Sequence, residues 1–255
     1  MNFGNNFAFK QAEKCYDVNM SDTATVEGIG KKTLLLLFIT LITSLFMIGI
    51  ILKNGFLPII LYPIAVIFTF VVQIIMCFSP RKAKSLSIPY AISEGLTIGV
   101  LCGVLEIALP NQGLVIASLA LVITICVFIV GLILYTKGYI KVGRRFYTFL
   151  ICALIGTSVA FLVMFITSMI SMFIGGTNLF AMLYTSPLYI LLSVFMCLIA
   201  ALYLIASIAN ADRLVQSGAD SDMEWFGAYA ITLNVIYLFL EVLRLILLLV
   251  ARNRD

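Results

Sequence analysis

Apolar positions in this chain neither alternate nor recur once per helical turn; they run on without interruption. Seven runs approach or exceed the ~20 residues that a spanning helix needs. They are Thr33–Leu52, Leu57–Phe78, Ile88–Leu109, Leu114–Tyr135, Phe146–Ile174, Leu188–Asn210 and Trp225–Val250. All are too long and too continuous for the alternating strands of a membrane barrel. The pattern predicts an all-α membrane protein, a bundle of seven transmembrane helices over residues 33–251. A polar tail precedes it over residues 1–32 and a short one follows over 252–255. The breaks between runs are turn chemistry: Lys53-Asn54-Gly55, Leu109-Pro110-Asn111-Gln112-Gly113 and Gly175-Gly176-Thr177-Asn178. At about 29 residues the fifth run has room to tilt or to end early. No internal repeat is visible, so an inverted-repeat transporter is not invoked.

Composition agrees with the pattern. Apolar residues make up 63% and charged residues 11% of 255, and the mean hydropathy is +1.15. Those values exclude a soluble globular enzyme, a disordered chain and a nucleic-acid binder. There is no histidine, which removes Ser-His and Cys-His catalysis, HExxH zinc sites and histidine pH switches together. Six cysteines, Cys15, Cys77, Cys102, Cys126, Cys152 and Cys197, form no CxxC pair, and five lie inside apolar runs. They read as small buried residues, and neither a disulfide framework nor a metal site is supported. The first 32 residues are polar and lack a signal peptide, so the first span is expected to direct insertion. Phe3, Phe7, Phe9 and Tyr16 punctuate that tail, which reads as loosely ordered or lying on the membrane surface. Asn19-Met20-Ser21 matches a glycosylation sequon that a cytoplasmic tail would never use.

Charge placement sets the expected orientation. The side carrying the N-terminus holds Lys10, Lys14, Lys31, Lys32, Arg81, Lys82, Lys84, Lys137, Lys141, Arg144, Arg145 and Arg213. The other side holds only Lys53, Arg252 and Arg254, and Arg244 lies inside the seventh run. That asymmetry places the N-terminus in the cytoplasm. With seven spans the C-terminus is outside; a six-span reading, which puts both ends inside, suits Arg252 and Arg254 but not the long apolar last helix. Short loops and the absence of an organelle signal favour a bacterial cytoplasmic membrane.

Ionisable residues inside a span cost about 2.5–3.5 kcal/mol each at mid-helix, so the few present can be weighed singly. No lysine falls within a run, which excludes a retinal-type Schiff base. Glu94 sits about 9 Å into the third span at 1.5 Å per residue. Gly95, Gly99 and Gly103 follow at a spacing of four, a stripe that admits close approach of another helix. Glu94 therefore reads either as a cation-coordinating or proton-titrating carboxylate, or as a hydrogen-bonded acid at a packing contact. Glu106 lies about 120° around the same helix and near its outer end, where water and headgroups solvate it. In the last span Asn234 and Glu241 share a face to within about 20°, Tyr237 lies between them, and Glu241 and Arg244 are spaced i, i+3 for an ion pair. This cluster reads as a packing salt bridge or as a polar pathway with an outer gate. Asp212 ends the sixth run and is expected to face inward beside Glu94, where two carboxylates would hold a cation or share a proton. Asp220, Asp222 and Glu224 complement the N-terminus of the last helix; the spacing of an EF-hand loop is absent.

These residues point to a family. The early third-helix segment Glu94-Gly95-Leu96, an acid closing the sixth helix, and above all Met223-Glu-Trp-Phe-Gly-Ala-Tyr-Ala-Ile-Thr-Leu-Asn-Val-Ile-Tyr-Leu-Phe-Leu-Glu-Val-Leu-Arg-Leu resemble the Bax inhibitor-1, or transmembrane Bax inhibitor motif, family. The Glu-Trp opening of the last helix, its Leu-Glu-x-Leu-Arg-Leu close and Val26-Glu-Gly-Ile-Gly-Lys-Lys-Thr33 resemble its bacterial YccA-like branch. The resemblance implies a seven-helix bundle of the Bax inhibitor-1 type and a membrane calcium leak, gated by pH through paired acids in the sixth and seventh helices. By position those acids fall on Asp212 and on Asn234. An amide cannot share a proton, so the resemblance leaves the gate to Glu94 or Glu241, or leaves it absent.

The expected activity is passive cation movement, calcium foremost, because inward carboxylates attract cations and hard oxygen ligands suit calcium. Glu94 and Asp212 would be its candidate ligands at the cytoplasmic mouth, Asn234 a midplane oxygen, and Glu241 with Arg244 the outer gate. Besides lipid, calcium and protons are the expected partners, with no cofactor and no nucleic acid. The second reading is a non-transporting regulator that binds a membrane protease or another membrane protein through its cytoplasmic face and tail. Enzymatic activity is not expected, because the chain has no Gly-x-Gly-Asp motif and no nucleophile–base pair.

Overall fold

The computed structural model describes residues 23–54, 57–137, 142–153, 155–156, 159 and 187–252. The first part of the polar tail, with Cys15 and the sequon, lies outside these residues, as do most of the fifth run and the Gly175–Asn178 break. The described chain forms α1 (Val26–Asn54), α2 (Leu57–Phe78), α3 (Ala83–Ala108), α4 (Gly113–Thr136), α5 (residues 144–153), α6 (Pro187–Gln216) and α7 (Glu224–Arg252). Short 3-10 turns at Pro80–Lys82 and Ser221–Met223 lead into α3 and α7. Among the described residues five helices, α1, α3, α4, α6 and α7, are long and apolar enough to cross a membrane, and α2 is apolar over Tyr62–Phe78. The chain is thus an all-helical, multi-pass membrane protein.

Several helices start earlier or end later than the apolar runs. α1 begins at Val26 rather than Thr33, because the polar turn before the run is itself capped. The Thr25 hydroxyl accepts the Gly28 N–H at 3.0 Å, and Glu27 pairs with Lys31 one turn on at 2.7 Å. α6 continues past Asn210 to Gln216, which places Asp212 inside the helix rather than at its close. It ends where Gly218 takes a φ of 72°, a conformation that suits glycine. There the Ser217, Gly218 and Ala219 amides turn back onto carbonyls of the last turn of α6. The break between α3 and α4 is a tight turn with Asn111 at φ 63°.

Two helix pairs make the most extensive contacts, α1 with α3 and α6 with α7; α7 also touches α1, α3 and α4. The α1–α3 seam runs along Gly95, Gly99 and Gly103. A side-chain carbon on Gly95 would collide with the Thr43 hydroxyl; one on Gly99 would lie 2.6 Å from the Ser44 carbonyl oxygen, and one on Gly103 2.8 Å from Ile51 Cδ1. The outward faces are a continuous apolar surface, carried by residues such as Leu34, Phe46, Ile67, Val115 and Leu198, as lipid contact requires. At one end of the bundle Thr23 bridges to Asp220, the Ala24 N–H reaches the Ala219 carbonyl at 2.8 Å, and Lys84 pairs with Asp222 at 2.8 Å. Arg213 donates to the Val142 carbonyl at the same end. The starts of α1, α3, α5 and α7 and the end of α6 therefore share one face of the membrane domain.

Candidate functional site

The middle of α3 gathers three neighbours within about two turns. Tyr90, Glu94 and Thr97 are spaced i−4 and i+3, so all three share a face. The Tyr90 hydroxyl donates to Glu94 Oε1 at 3.0 Å, and the Thr97 hydroxyl lies 3.2 Å from Oε2. Tyr90 is fully buried and meets Tyr229 of α7 edge-on at 4.8 Å between ring centres. The adjacent Ser93 faces α2, where its hydroxyl is 2.6 Å from that of Thr69 and donates to the Ala65 carbonyl at 2.9 Å. Glu94 is 9% exposed. Its hydrogen-bond partners among the described residues are neutral hydroxyls, so its charge, when present, is solvated but not neutralised.

Toward the other end of α7, Glu241 is 8% exposed. Arg244 lies 3.7 Å from its Oε2, beyond hydrogen-bonding distance, and that oxygen accepts no hydrogen bond from the described residues. Tyr237 lies one turn earlier on the same face of the helix. The Arg244 guanidinium turns instead to α6, lying over the Tyr189 ring at 4.9 Å and bonding its hydroxyl. Asn234 donates its amide to the Ala230 carbonyl of its own helix at 2.9 Å.

Asp212 stands apart from both. Its Oδ2 accepts the Tyr135 hydroxyl of α4 and the Gln216 amide, each at 2.9 Å. Asp212 and Glu94 share no hydrogen-bond partner among the described residues, and neither do Asp212 and Asn234. Asp212 and Tyr135 border a crevice of about 670 Å³ between α1, α4, α6 and α7, walled mostly by apolar side chains such as Ile29, Leu132 and Ile208. No group of three or more Cys, Asp or Glu side chains that could hold a metal ion occurs among the described residues. The five described cysteines are free.

The sequence matches the Bax inhibitor 1 like family model over residues 3–251. The chain belongs to that family. No curated protein and no solved structure matches it. In this Bax inhibitor 1 like chain two acids have roles that the local sequence pattern did not show. Glu224, 7% exposed, does more than complement the α7 N-terminus. Its Oε1 accepts the Thr25 N–H at 2.8 Å and lies 3.0 Å from the Thr25 hydroxyl, and Lys32 donates to its Oε2 at 2.7 Å. Glu106 folds over the α3–α4 turn, accepting the Asn111 N–H at 2.8 Å and the Leu114 N–H at 2.7 Å. Each of these carboxylates satisfies the open amides at the start of a different helix. For Glu106 the signal was an acid eight residues before Leu114. For Glu224 no short-range signal exists.

Proposed function

We propose that this Bax inhibitor 1 like protein lets cations, calcium foremost, move passively across a bacterial cytoplasmic membrane. In this reading it is a seven-span bundle of the YccA-like branch, with the N-terminus inside. The observation that carries it is Glu94: a carboxylate buried in the middle of a spanning helix, held, among the described residues, by hydroxyls and not by a cation. A buried acid of that kind in a membrane span is costly and marks an ion or proton path. Glu241, buried with the Arg244 guanidinium 3.7 Å away, supplies a second acidic station. A cation would meet one carboxylate at a time and not a cage. That suits passage, which needs binding weak enough to release. Protonation of either acid would remove the attraction, which couples passage to pH in the same proposal.

Calcium entry into liposomes carrying the purified chain tests the reading. The Glu94→Gln variant keeps the side-chain shape and the hydroxyl contacts but loses the charge. It is expected to lower the flux about tenfold, the loss of one charged ligand worth about 1.4 kcal/mol. Flux indistinguishable from empty liposomes at neutral and acidic pH would overturn calcium conduction. Unchanged flux in Glu94→Gln would remove Glu94 from the path.

A further inference from the structure

The first turn of α1 is tied to the first turn of α7 by contacts that no cation path requires. In a capping box the acid at the third helical position reaches back to the amide of the capping residue. Here Thr25 caps α1, but its third helical position is Gly28, and the acid arrives from α7. Thr25 accepts the Gly28 N–H and offers both its own N–H and its hydroxyl to Glu224 Oε1. Lys32, one turn on, closes the set at Glu224 Oε2 and lies 5.2 Å from the centre of the Trp225 ring. A side-chain carbon on Gly28 would collide with the Glu224 carboxylate, so glycine makes room for the acid.

α1 is held at a second place, its later half, where Ser44, Met47 and Ile51 lie against the glycines of α3. Alongside the clasp, one flank of the first two turns of α1 faces a crevice. Val26, Ile29, Gly30 and Thr33 border the crevice whose far wall carries Tyr135 and Asp212. A rod fixed by close packing at one half, and at its other end by the charged clasp with the Ala24 backbone bond and the buried Ile29 beside it, is freer to swing when the clasp lets go.

We propose that the Thr25–Glu224–Lys32 clasp is a latch. Its release lets the N-terminal half of α1 pivot on the glycine seam and opens the crevice to water. The inference does not rest on cation conduction. Thr33 lines the crevice and is 4% exposed, so a cysteine there reports opening through its rate of reaction with a water-soluble maleimide. The full chain carrying Thr33→Cys, reconstituted in liposomes, is the reference. Glu224→Gln is expected to raise the rate at position 33 about tenfold, as loss of charge-assisted hydrogen bonds shifts the closed–open balance. Gly28→Ala is expected to raise it too, by displacing the carboxylate while keeping every charge, and it carries the test where Glu224→Gln does not fold. Lys31→Met, which removes only the exposed pair with Glu27, is expected to leave the rate unchanged. The native Cys102, 3% exposed in α3, is the internal control. Equal rates in reference and variants would overturn the latch, and so would a matching rise at Cys102, which would mean general loosening.

Discussion

Glu106 illustrates how both oxygens of a single carboxylate in a membrane helix can be taken up by backbone amides. Its two oxygens each take one backbone N–H of the α3–α4 turn, at 2.8 and 2.7 Å. The second of these is an amide of the first turn of α4, where no capping side chain is present at Gln112. Glu106→Ala is therefore expected to lower stability by about 1–2 kcal/mol, the usual cost of losing a helix cap. Unfolding in detergent micelles at graded denaturant checks this, and an unchanged midpoint would show that water serves those amides equally well. Glu94 is the contrasting case. Its contacts within α3 are local, at i−4 and i+3, so spacing along the sequence suffices to bring Tyr90 and Thr97 to it. The same holds for Glu241 and Arg244, whose i, i+3 spacing brings them to 3.7 Å. Spacing does not reveal that Arg244 hydrogen-bonds Tyr189 of another helix.

At the scale of the element, hydropathy locates each described helix but not its ends. The apolar run marks where lipid is; the helix continues wherever the backbone can still be capped or paired. Thr25 extends α1 backward through a polar turn, and α6 runs four residues beyond Asp212 before Gly218 turns it. Glycines separate into those that a helix needs and those it merely tolerates. Gly99 has the Ser44 carbonyl oxygen at 2.6 Å and Met47 Cβ at 2.7 Å from where a side chain would begin, whereas nothing lies within 4 Å at Gly30. Gly99→Val is expected to wedge α1 from α3 and cost about 2–3 kcal/mol, in the range of overpacked cores. Gly30→Ala is expected to be neutral or to stabilise by up to about 1 kcal/mol through helix propensity alone. Thermal unfolding of the two variants side by side decides the matter. Equal effects at both positions would mean that the seam is not tightly packed.

For the molecule as a whole, the informative contacts are those that sequence order hides. Thr25 and Glu224 are 199 positions apart, and no periodicity in either segment announces the other. Local composition made Glu224 a helix-start acid and made residues 23–32 part of a tail. The fold instead closes the start of the described chain against the α6–α7 turn: Thr23 bridges Asp220, Ala24 bonds the Ala219 carbonyl, and Ile29 is buried in the common core. The boundary between tail and membrane domain therefore has a measurable position. A chain lacking residues 1–32 is expected to be less stable than one lacking residues 1–22 by about 3 kcal/mol or more. That is the order of magnitude for losing the partner of a partly buried ion pair and a buried aliphatic side chain together. Adding back residues 23–32 with Lys32→Met should recover only part of the difference, because Ile29 and the Thr25 amide return while the charge does not. Denaturant midpoints of the two truncations and the partial restoration give the answer directly. Equal stability of the two truncated chains would mean that the clasp and the contacts around it hold nothing that the remaining helices do not already hold.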